Sequence, residues 1–302
     1  MDFGKLPTSQ LDTIDFGLRA DNSFNVRVLD NKTNRTPKVF VGCPVWQNKQ
    51  WLGKIYPHKA KEKDTLGLYT RQFNTIELNV THYQIPSTET INRWQAEAAE
   101  GFVFCPKFPQ IISHEKLLQG TESLTENFCQ QILGLGQNLG LPFLQLSPAF
   151  GPKLLPVLRN YLESLPKNLK IAVEFRNVEW FTDDKIWQNA LALLQHHQMA
   201  TVITDVAGRR DVLHQSLSVP ILALRWVGNN YPSDYLRIDQ WIQKLKVWLS
   251  QGLNEFYLFV HVDDNNTAPE LATYWIKQLN LHCGLAIKEP QFLPKIVQTS
   301  LF

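Results

Sequence analysis

The segment Ile171-Ala-Val-Glu-Phe175 is a short apolar run that is followed at once by a charged residue, Arg176. Seven further runs also end in a polar or charged residue: Val39–Val41, Thr75–Leu78, Phe102–Phe104, Phe143–Leu146, Thr201–Thr204, Ile221–Leu224 and Phe256–Val260. Seven of the eight gaps between or after the runs carry a helical pattern, and such alternation is typical of a parallel sheet with helical crossovers. Eight units predict an α/β fold, a (β/α)8 TIM-like barrel, in which residues just past the C-terminal ends of the strands form the active site.

The length and the pattern divide the chain into three parts. A barrel of this type typically needs about 250 residues, so 302 residues fit one barrel with extensions. We expect residues 1–36 to form an N-terminal extension that is draped over the barrel or partly disordered, because their apolar residues lack a clear period. Residues 37–280 form the predicted barrel, and residues 281–302 form a tail packed on it. The segment Ala207–Val219 has little helical periodicity, which predicts an irregular sixth crossover.

Composition limits the classes of partner. The formal net charge of +2 does not argue for nucleic acid or a membrane surface, although the basic pair Arg209–Arg210 keeps nucleic acid as an unfavoured alternative. The four cysteines form no CxxC pair, and no stretch resembles a signal peptide or a bilayer span, so we expect a reduced, cytoplasmic protein. The oligomeric state is not readable from the sequence.

The strand ends supply a set of candidate site residues. Side chains alternate along a strand, so Glu77 shares a face with Asn79 and Glu174 shares a face with Arg176, and we expect all four to point into the barrel near its rim. The other candidates at or beyond strand ends are Trp46, Tyr83, Lys107, His114, Gln145, Asp205 and Arg225. The eighth strand ends at His261, with Asp263 and Asp264 beyond it. These groups either hold a ligand or form a buried ion network that only closes the top of the barrel.

Several chemistries lack support in the sequence. It contains no HExxH, P-loop or GxGxxG motif, and the region after the seventh and eighth strands is a poor match to the usual phosphate cradle of a barrel. No nucleotide-cofactor motif is present. A divalent metal held by Glu77, Glu174, Asp205 and a histidine stays open, since hard oxygen ligands are available, but no spacing rule supports it.

With these residues placed, the chain resembles the family called domain of unknown function 72, or YecE-like. The resemblance runs from Val41 to about Leu279 and rests on these residues: Trp46, Trp51-Leu-Gly53, Tyr56-Pro57, Phe73–Asn79, Thr81, Tyr83, Pro86, Trp94, Phe102–Lys107, His114, Leu139-Gly140, Gln145–Pro148, Val173–Arg176, Trp180, Asp205, Arg225 and Gly228. It implies a TIM-like barrel with one shared site at the mouth, and it implies no particular reaction. The chain departs from the family pattern at Phe259–Asp264 and at Pro269-Glu270.

Two hypotheses follow for the function. The first is an enzyme of hydrolase or lyase type acting on a small polar or anionic substrate at the barrel mouth. Its catalytic residues would be Glu77, Glu174, Lys107, His114 and Asp205, and its substrate-binding residues would be Trp46, Asn79, Tyr83, Gln145, Arg176 and Arg225. Glu77 or Glu174 would act as general acid or base, with His114 as a proton carrier. The second hypothesis is a non-catalytic binding protein for a small anion, sugar or nucleotide.

Overall fold

Eight parallel strands with helices between them form the body of the protein, in a computed structural model that describes residues 4–29 and 36–294. The strands are β1 (Lys38–Cys43), β2 (Thr75–Leu78), β3 (Val103–Pro106), β4 (Phe143–Gln145), β5 (Ala172–Glu174), β6 (Ala200–Asp205), β7 (Ile221–Val227) and β8 (Glu255–His261). The helices are α1 (Ser23–Leu29), α2 (Thr65–Gln72), α3 (Thr88–Glu97), α4 (Glu122–Leu133), α5 (Leu155–Ser164), α6 (Asp184–His196), α7 (Ser233–Gln251) and α8 (Ala268–Cys283). Each predicted apolar run coincides with one strand to within a few residues.

The sheet curls into a nearly closed barrel. Its strand order is β3-β2-β1-β8-β7-β6-β5-β4, so β1 pairs with β8 as well as with β2. The edges formed by β3 and β4 meet only at two isolated bridges, Phe104 with Leu139 and Lys107 with Phe143. The prediction of a (β/α)8 TIM-like barrel is therefore confirmed, with its looser seam between β3 and β4.

The apolar residues divide between the inside of the barrel and the layer beneath the helices. Inside, alanines of β5, β6 and β7 lie among larger side chains, and the rings of Phe143 and Phe259 stack with centroids 6.4 Å apart. Outside, the large buried rings include Trp51, Trp180 and Trp226, which pack between strands and helices. Strands buried on both faces explain why the sequence shows continuous apolar runs and not alternation. The filled interior confines polar chemistry to the ends of the barrel.

The sixth crossover is irregular, as predicted. Between β6 and β7 the chain makes only a 3-10 turn, Ala207–Val212, and then a segment with neither helix nor strand. Helix α1 packs against that segment: the Asn25 side chain donates to the carbonyl of Gln215 at 2.9 Å and accepts from the amide of Leu217 at 2.8 Å. Because Phe24 of the same helix is buried in the core, α1 covers part of the region that a sixth crossover helix would occupy.

The described parts of both extensions contact the barrel. The amide of Leu293 donates to the carbonyl of Lys54 at 2.8 Å, and the ammonium of Lys244 on α7 lies 2.7 Å from the Asp21 carboxylate. Residues 1–3, 30–35 and 295–302 fall outside the described residues, and with them part of both predicted extensions. The division at residues 36 and 280 stays a prediction.

Candidate active site at the barrel mouth

Arg225 of β7 lies between two glutamates at the C-terminal end of the barrel. Its Nε and Nη2 donate to Oε2 and Oε1 of Glu77 at 2.8 and 2.9 Å, and its Nη1 reaches the two carboxylate oxygens of Glu174 at 3.3 and 3.2 Å. All three side chains are fully buried, at 1% exposure or less. A bidentate guanidinium–carboxylate pair is among the strongest hydrogen-bonded arrangements in proteins, so this triad fixes the geometry of the mouth.

Further donors complete the shell of Glu77. Asn79 donates its side-chain amide to Oε1 at 2.8 Å, and Nε2 of His261 lies 2.8 Å from Oε2. Burial by itself raises the pKa of the Glu77 carboxyl, but Arg225 and His261 outweigh it and hold this pKa well below its ordinary value. Glu77 is therefore ionised at neutral pH.

Glu174 is held in the same way by a different set of donors. Gln145 donates to Oε2 at 2.7 Å, the Nε of Arg176 donates to Oε1 at 2.8 Å, and the Thr204 hydroxyl donates to Oε1 at 2.9 Å. Burial opposes ionisation, yet Arg176 and Arg225 lower the pKa of the Glu174 carboxyl far below its usual range. Neither carboxylate carries a proton at neutral pH, which leaves both as acceptors and makes both weak bases.

Lys107 lies just past the end of β3 and is 4% exposed. Its Nζ donates to Oε1 of Gln145 at 3.0 Å and lies 6.0 Å from the centre of the Phe143 ring. Burial and the nearby charge of Arg225 lower the pKa of Lys107 to about 7, against the smaller opposing effect of Glu174. Lys107 can therefore gain or lose a proton near neutral pH.

Two histidines stand close to Lys107 on the loops that follow β2 and β3. The ring of His82 meets the ring of His114 at 5.2 Å in an edge-to-face contact. His114 lies in a single π-helical turn, Ile111–Glu115. Burial and the charge of Lys107 lower the pKa of both imidazoles, that of His82 to about 4. Both rings are therefore neutral at pH 7 when nothing is bound.

Asp205 contacts a different set of residues, and its predicted role at this site stays a prediction. Its neighbour Thr204 contacts Glu174 inside the barrel, so Asp205, one residue further along β6, faces the helices. There its carboxylate accepts from Nη2 of Arg237 at 2.8 Å, from Nε1 of Trp241 at 2.6 Å and from Arg210. Burial raises the pKa of Asp205, but Arg237 and Arg210 lower it overall. This separate buried cluster joins β6 to α7.

The structure brings together eight of the predicted site residues: Glu77, Asn79, Lys107, His114, Gln145, Glu174, Arg176 and Arg225. Tyr83 lies at the edge of this group, with its ring 5.4 Å from that of His82, and it is 77% exposed. Trp46 is half-buried and packs edge-to-face against Trp94 at 6.3 Å, which is a packing contact and not a position over the triad.

Three residues of the mouth were given no catalytic or binding role from the sequence. His261 ends β8 and was visible as a strand-end residue, but only the structure pairs it with Glu77. Thr204 gave no signal, because threonine is common in strands. His82 carried an ambiguous signal, since its position beside Tyr83 fits a core residue equally well.

The residues of the mouth do not form a metal cluster. Within residues 4–29 and 36–294, no group of three or more His, Cys, Asp or Glu side chains is arranged to hold a metal ion. Glu77 and His261 are adjacent, but Arg225 stands between them and Glu174, and Asp205 lies elsewhere. The set of four ligands considered from the sequence is therefore not assembled. In the same described segments, no helix has the length and hydropathy required to traverse a bilayer.

Comparisons with known proteins agree with this architecture. Residues 40–295 match the family described as "Protein of unknown function DUF72". The UPF0759 protein YecE of Escherichia coli (strain K12) is 31% identical over 257 residues, which cover 78% of this chain and 91% of that protein. The crystal structure of a DUF72 family protein from Enterococcus faecalis V583 superposes with a TM-score of 0.66 at 20% identity, over 81% of this chain and 98% of that one. A DUF72 family protein from Thermotoga maritima MSB8 superposes with a TM-score of 0.61 at 24% identity, over 80% and 99% of the two chains.

Proposed function

We propose that this chain, which belongs to the DUF72 family, is an enzyme that binds a small polar or anionic molecule at the barrel mouth and uses the Lys107 amine as its acid–base group. The observation that carries the proposal is a buried lysine whose Nζ is held by the neutral amide of Gln145, beside the guanidinium of Arg225. A group with a pKa near the working pH transfers protons most effectively. The two glutamates, which the sequence favoured as acid or base, instead act as fixed anions that position the cations.

The arrangement favours a lyase-type reaction over a hydrolytic one. When a base removes a proton next to a carbonyl or carboxylate group, negative charge develops on the oxygen atoms of the substrate. A cation already in place stabilises that charge without reorganisation. Arg176 is such a cation: its Nε is fixed on Glu174, and the residue is 7% exposed. The neutral amine of Lys107 would take the proton, the electron pair of the C–H bond would move onto the substrate oxygen, and the guanidinium of Arg176 would bind that oxygen. In the second step the enolate pair would re-form the carbonyl group and expel a leaving group from the next carbon, which departs with its bonding pair and takes the proton back from Lys107.

Proton abstraction can be tested without knowing the product. Wild-type protein is incubated in D2O at pH 8 with pools of small carboxylates and carbonyl compounds, and deuterium incorporation is read by mass spectrometry. We expect incorporation at a carbon next to the carbonyl group of one compound class, and its loss in Lys107→Met. Lys153→Met, which alters an exposed lysine of another helix turn, is the matched control and should exchange like wild type. Exchange that survives Lys107→Met would contradict the assignment of Lys107 as the base.

The second candidate function is non-catalytic binding of a small anion, sugar or nucleotide. It draws support from the completeness of the hydrogen bonds around Glu77 and Glu174, because a rigid, ionised shell can hold a ligand without any chemistry. Stoichiometric saturation by a compound, with neither deuterium exchange nor turnover, would favour this alternative. The small-molecule partner and the cytoplasmic location expected from the sequence stand as proposals beside it.

A further inference from the structure

The loops after β2 and β3 carry a pair of imidazoles that the proton-transfer proposal does not use. His82 is 8% exposed and packs edge-to-face on His114, which is half-buried. Buried polar side chains next to a cationic cluster are costly unless something balances them. The charges that most lower the pKa of the two rings are cationic: Lys107 and Arg176 act on both, and the Glu174 carboxylate is a weaker, opposing influence on the pKa of His114.

Hydrogen bonds to Phe108 and Ser113 bear on which nitrogen of each ring is protonated. Nδ1 of His82 lies 2.7 Å from the carbonyl oxygen of Phe108, which can only accept, so Nδ1 carries the proton. Nδ1 of His114 lies 2.8 Å from the Ser113 hydroxyl, whose oxygen also lies 3.2 Å from the carbonyl oxygen of Pro109. When the hydroxyl donates to Pro109, its oxygen accepts from His114, and the proton of this ring also sits on Nδ1. In both neutral rings, Nε2 is the atom that remains to take up a second proton.

The charges at the mouth leave room for a doubly negative ligand. Below pH 7, where Lys107 is mostly protonated, the cations Arg225, Arg176 and Lys107 face the two carboxylates Glu77 and Glu174. The cluster then has one excess positive charge while the histidines are neutral. Protonation of both Nε2 atoms would add two further charges and two N–H donors. The exposed ring of Tyr83 lies beside His82, with centroids 5.4 Å apart.

We propose that His82 and His114 bind the tetrahedral dianionic group of the substrate, of the phosphate type, and take up protons on Nε2 as it binds. The inference rests on the proposed function, because it names the substrate class of the same site: a small molecule with a carbonyl or carboxylate group next to Lys107 and a dianionic group next to the histidine pair. The charges of Lys107 and Arg176 disfavour protonation of the two rings. Because a bound anion offsets these charges, anion binding and protonation of the rings are coupled. Linkage then requires that affinity fall as pH rises.

Sulfate is a suitable probe, because it is a dianion throughout pH 5–8 and any proton taken up goes to the protein. Its binding to the full chain is measured by isothermal titration calorimetry at constant ionic strength in buffers of different ionisation enthalpy. Each proton taken up should make affinity fall by roughly tenfold per pH unit between pH 5 and 7, so uptake at both histidines should give a fall of up to about a hundredfold per unit, as linkage demands. Chloride, which carries a single charge, should show neither the proton uptake nor the slope.

Variants test whether the two histidines are the groups that take up protons when sulfate binds. We expect His114→Gln to reduce the proton uptake and to weaken sulfate binding about tenfold at pH 6. His282→Gln, on the exposed face of α8, is the matched control and should bind like wild type. Because His82→Gln removes the bond to Phe108 and can disturb folding, nitrogen-15 NMR of the wild-type imidazoles provides a second measurement. Signals from Nε2 of both rings should shift toward the protonated position when sulfate is added at pH 6.

The outcomes separate the two proposals. Unchanged imidazole signals at saturating sulfate, or binding that is independent of pH, would overturn the role of the histidine pair. If deuterium exchange still depends on Lys107 in that case, the proposed function stands without this substrate class. If sulfate binds with proton uptake at both histidines while Lys107→Met leaves exchange unaltered, the dianion site is supported and the assignment of the base fails. Tighter binding of glycerol 1-phosphate than of sulfate would support a phosphate ester as the ligand.

Discussion

Replacement of Arg225 by methionine is the sharpest test of the buried triad. The guanidinium makes two bonds to Glu77 at 2.8 and 2.9 Å and two longer ones to Glu174, all at a site of 1% exposure or less. Methionine keeps much of the apolar stem and leaves two carboxylates without their shared cation. Removing one partner of a buried ion pair typically costs about 3–5 kcal/mol. We expect the free energy of unfolding at pH 7 to fall by that amount in Arg225→Met.

The stability lost in Arg225→Met should depend on pH in a definite direction. In the wild type the folded pKa values of Glu77 and Glu174 lie below the unfolded value of about 4.3, so their stabilisation is complete above that pH and is lost as the pH falls through the folded values. Without Arg225, burial acts on both carboxyls with less opposition and raises their pKa values. The deficit of Arg225→Met should therefore be largest at pH 8 and smaller at pH 5, where the carboxyls can take up protons.

Urea unfolding followed by tryptophan fluorescence at pH 5, 7 and 8 measures this deficit, provided that the m-value is unchanged. Arg93→Met, on the exposed face of α3, is the matched control and should cost less than about 0.5 kcal/mol. Adding Glu77→Gln to Arg225→Met should recover part of the loss, since one uncompensated charge disappears. A loss below about 1 kcal/mol at pH 7, or an equal loss at pH 5 and pH 8, would refute the reasoning.

Three further predictions address the surroundings of the triad. Asp205→Asn should lower the free energy of unfolding by about 3 kcal/mol, because Arg237 loses a buried partner, yet leave deuterium exchange at the mouth unchanged; loss of exchange would mean that Asp205 belongs to the site after all. Gly42→Ala should lower the free energy of unfolding in urea by about 3 kcal/mol, since an added Cβ would stand 1.9 Å from the carbonyl oxygen of Thr75. If the variant were as stable as the wild type, this register of β1 and β2 would be contradicted. The folded pKa of Lys107, about 7, lies below the unfolded value of about 10.4, so the unfolded chain binds more protons than the folded chain between these values. The free energy of unfolding of the wild type, relative to Lys107→Met, should therefore rise between pH 7 and pH 9 by up to about 1.4 kcal/mol per pH unit. A flat difference over that range, measured by urea unfolding, would argue for an ordinary lysine.

The fold could be predicted because each strand unit carries its own signal. An apolar run such as Ile171–Phe175 followed by an amphipathic helix identifies one unit, and eight repetitions leave few alternatives. The irregular sixth crossover was predictable for the same reason, since the helical period was missing there. The packing of α1 against this crossover was not predictable, because the Asn25 bonds to Gln215 and Leu217 join residues far apart in the chain.

The site could be predicted only as far as strand alternation reaches. Alternation placed Glu77 with Asn79 and Glu174 with Arg176, and the structure shows both pairs hydrogen-bonded. The partner of both glutamates, Arg225, is 148 residues from Glu77, and no local pattern indicates that its one guanidinium joins them. This pairing also sets the pKa values, so the sequence could not show that the glutamates are ionised.

The two interpretations that the sequence left open, a structural ion network and a functional site, apply to different depths of the same cluster. Glu77, Glu174 and Arg225 are at most 1% exposed and satisfy one another, which is how a network that closes the barrel behaves. Above them, Lys107 at 4%, Arg176 at 7% and His82 at 8% exposure keep some contact with solvent. A purely structural network would gain nothing from a lysine whose pKa is lowered to about 7 beside two guanidinium groups, since that placement costs stability at neutral pH. Because residues that violate local energetic preference concentrate at functional sites, the upper layer is where we place the proposed chemistry.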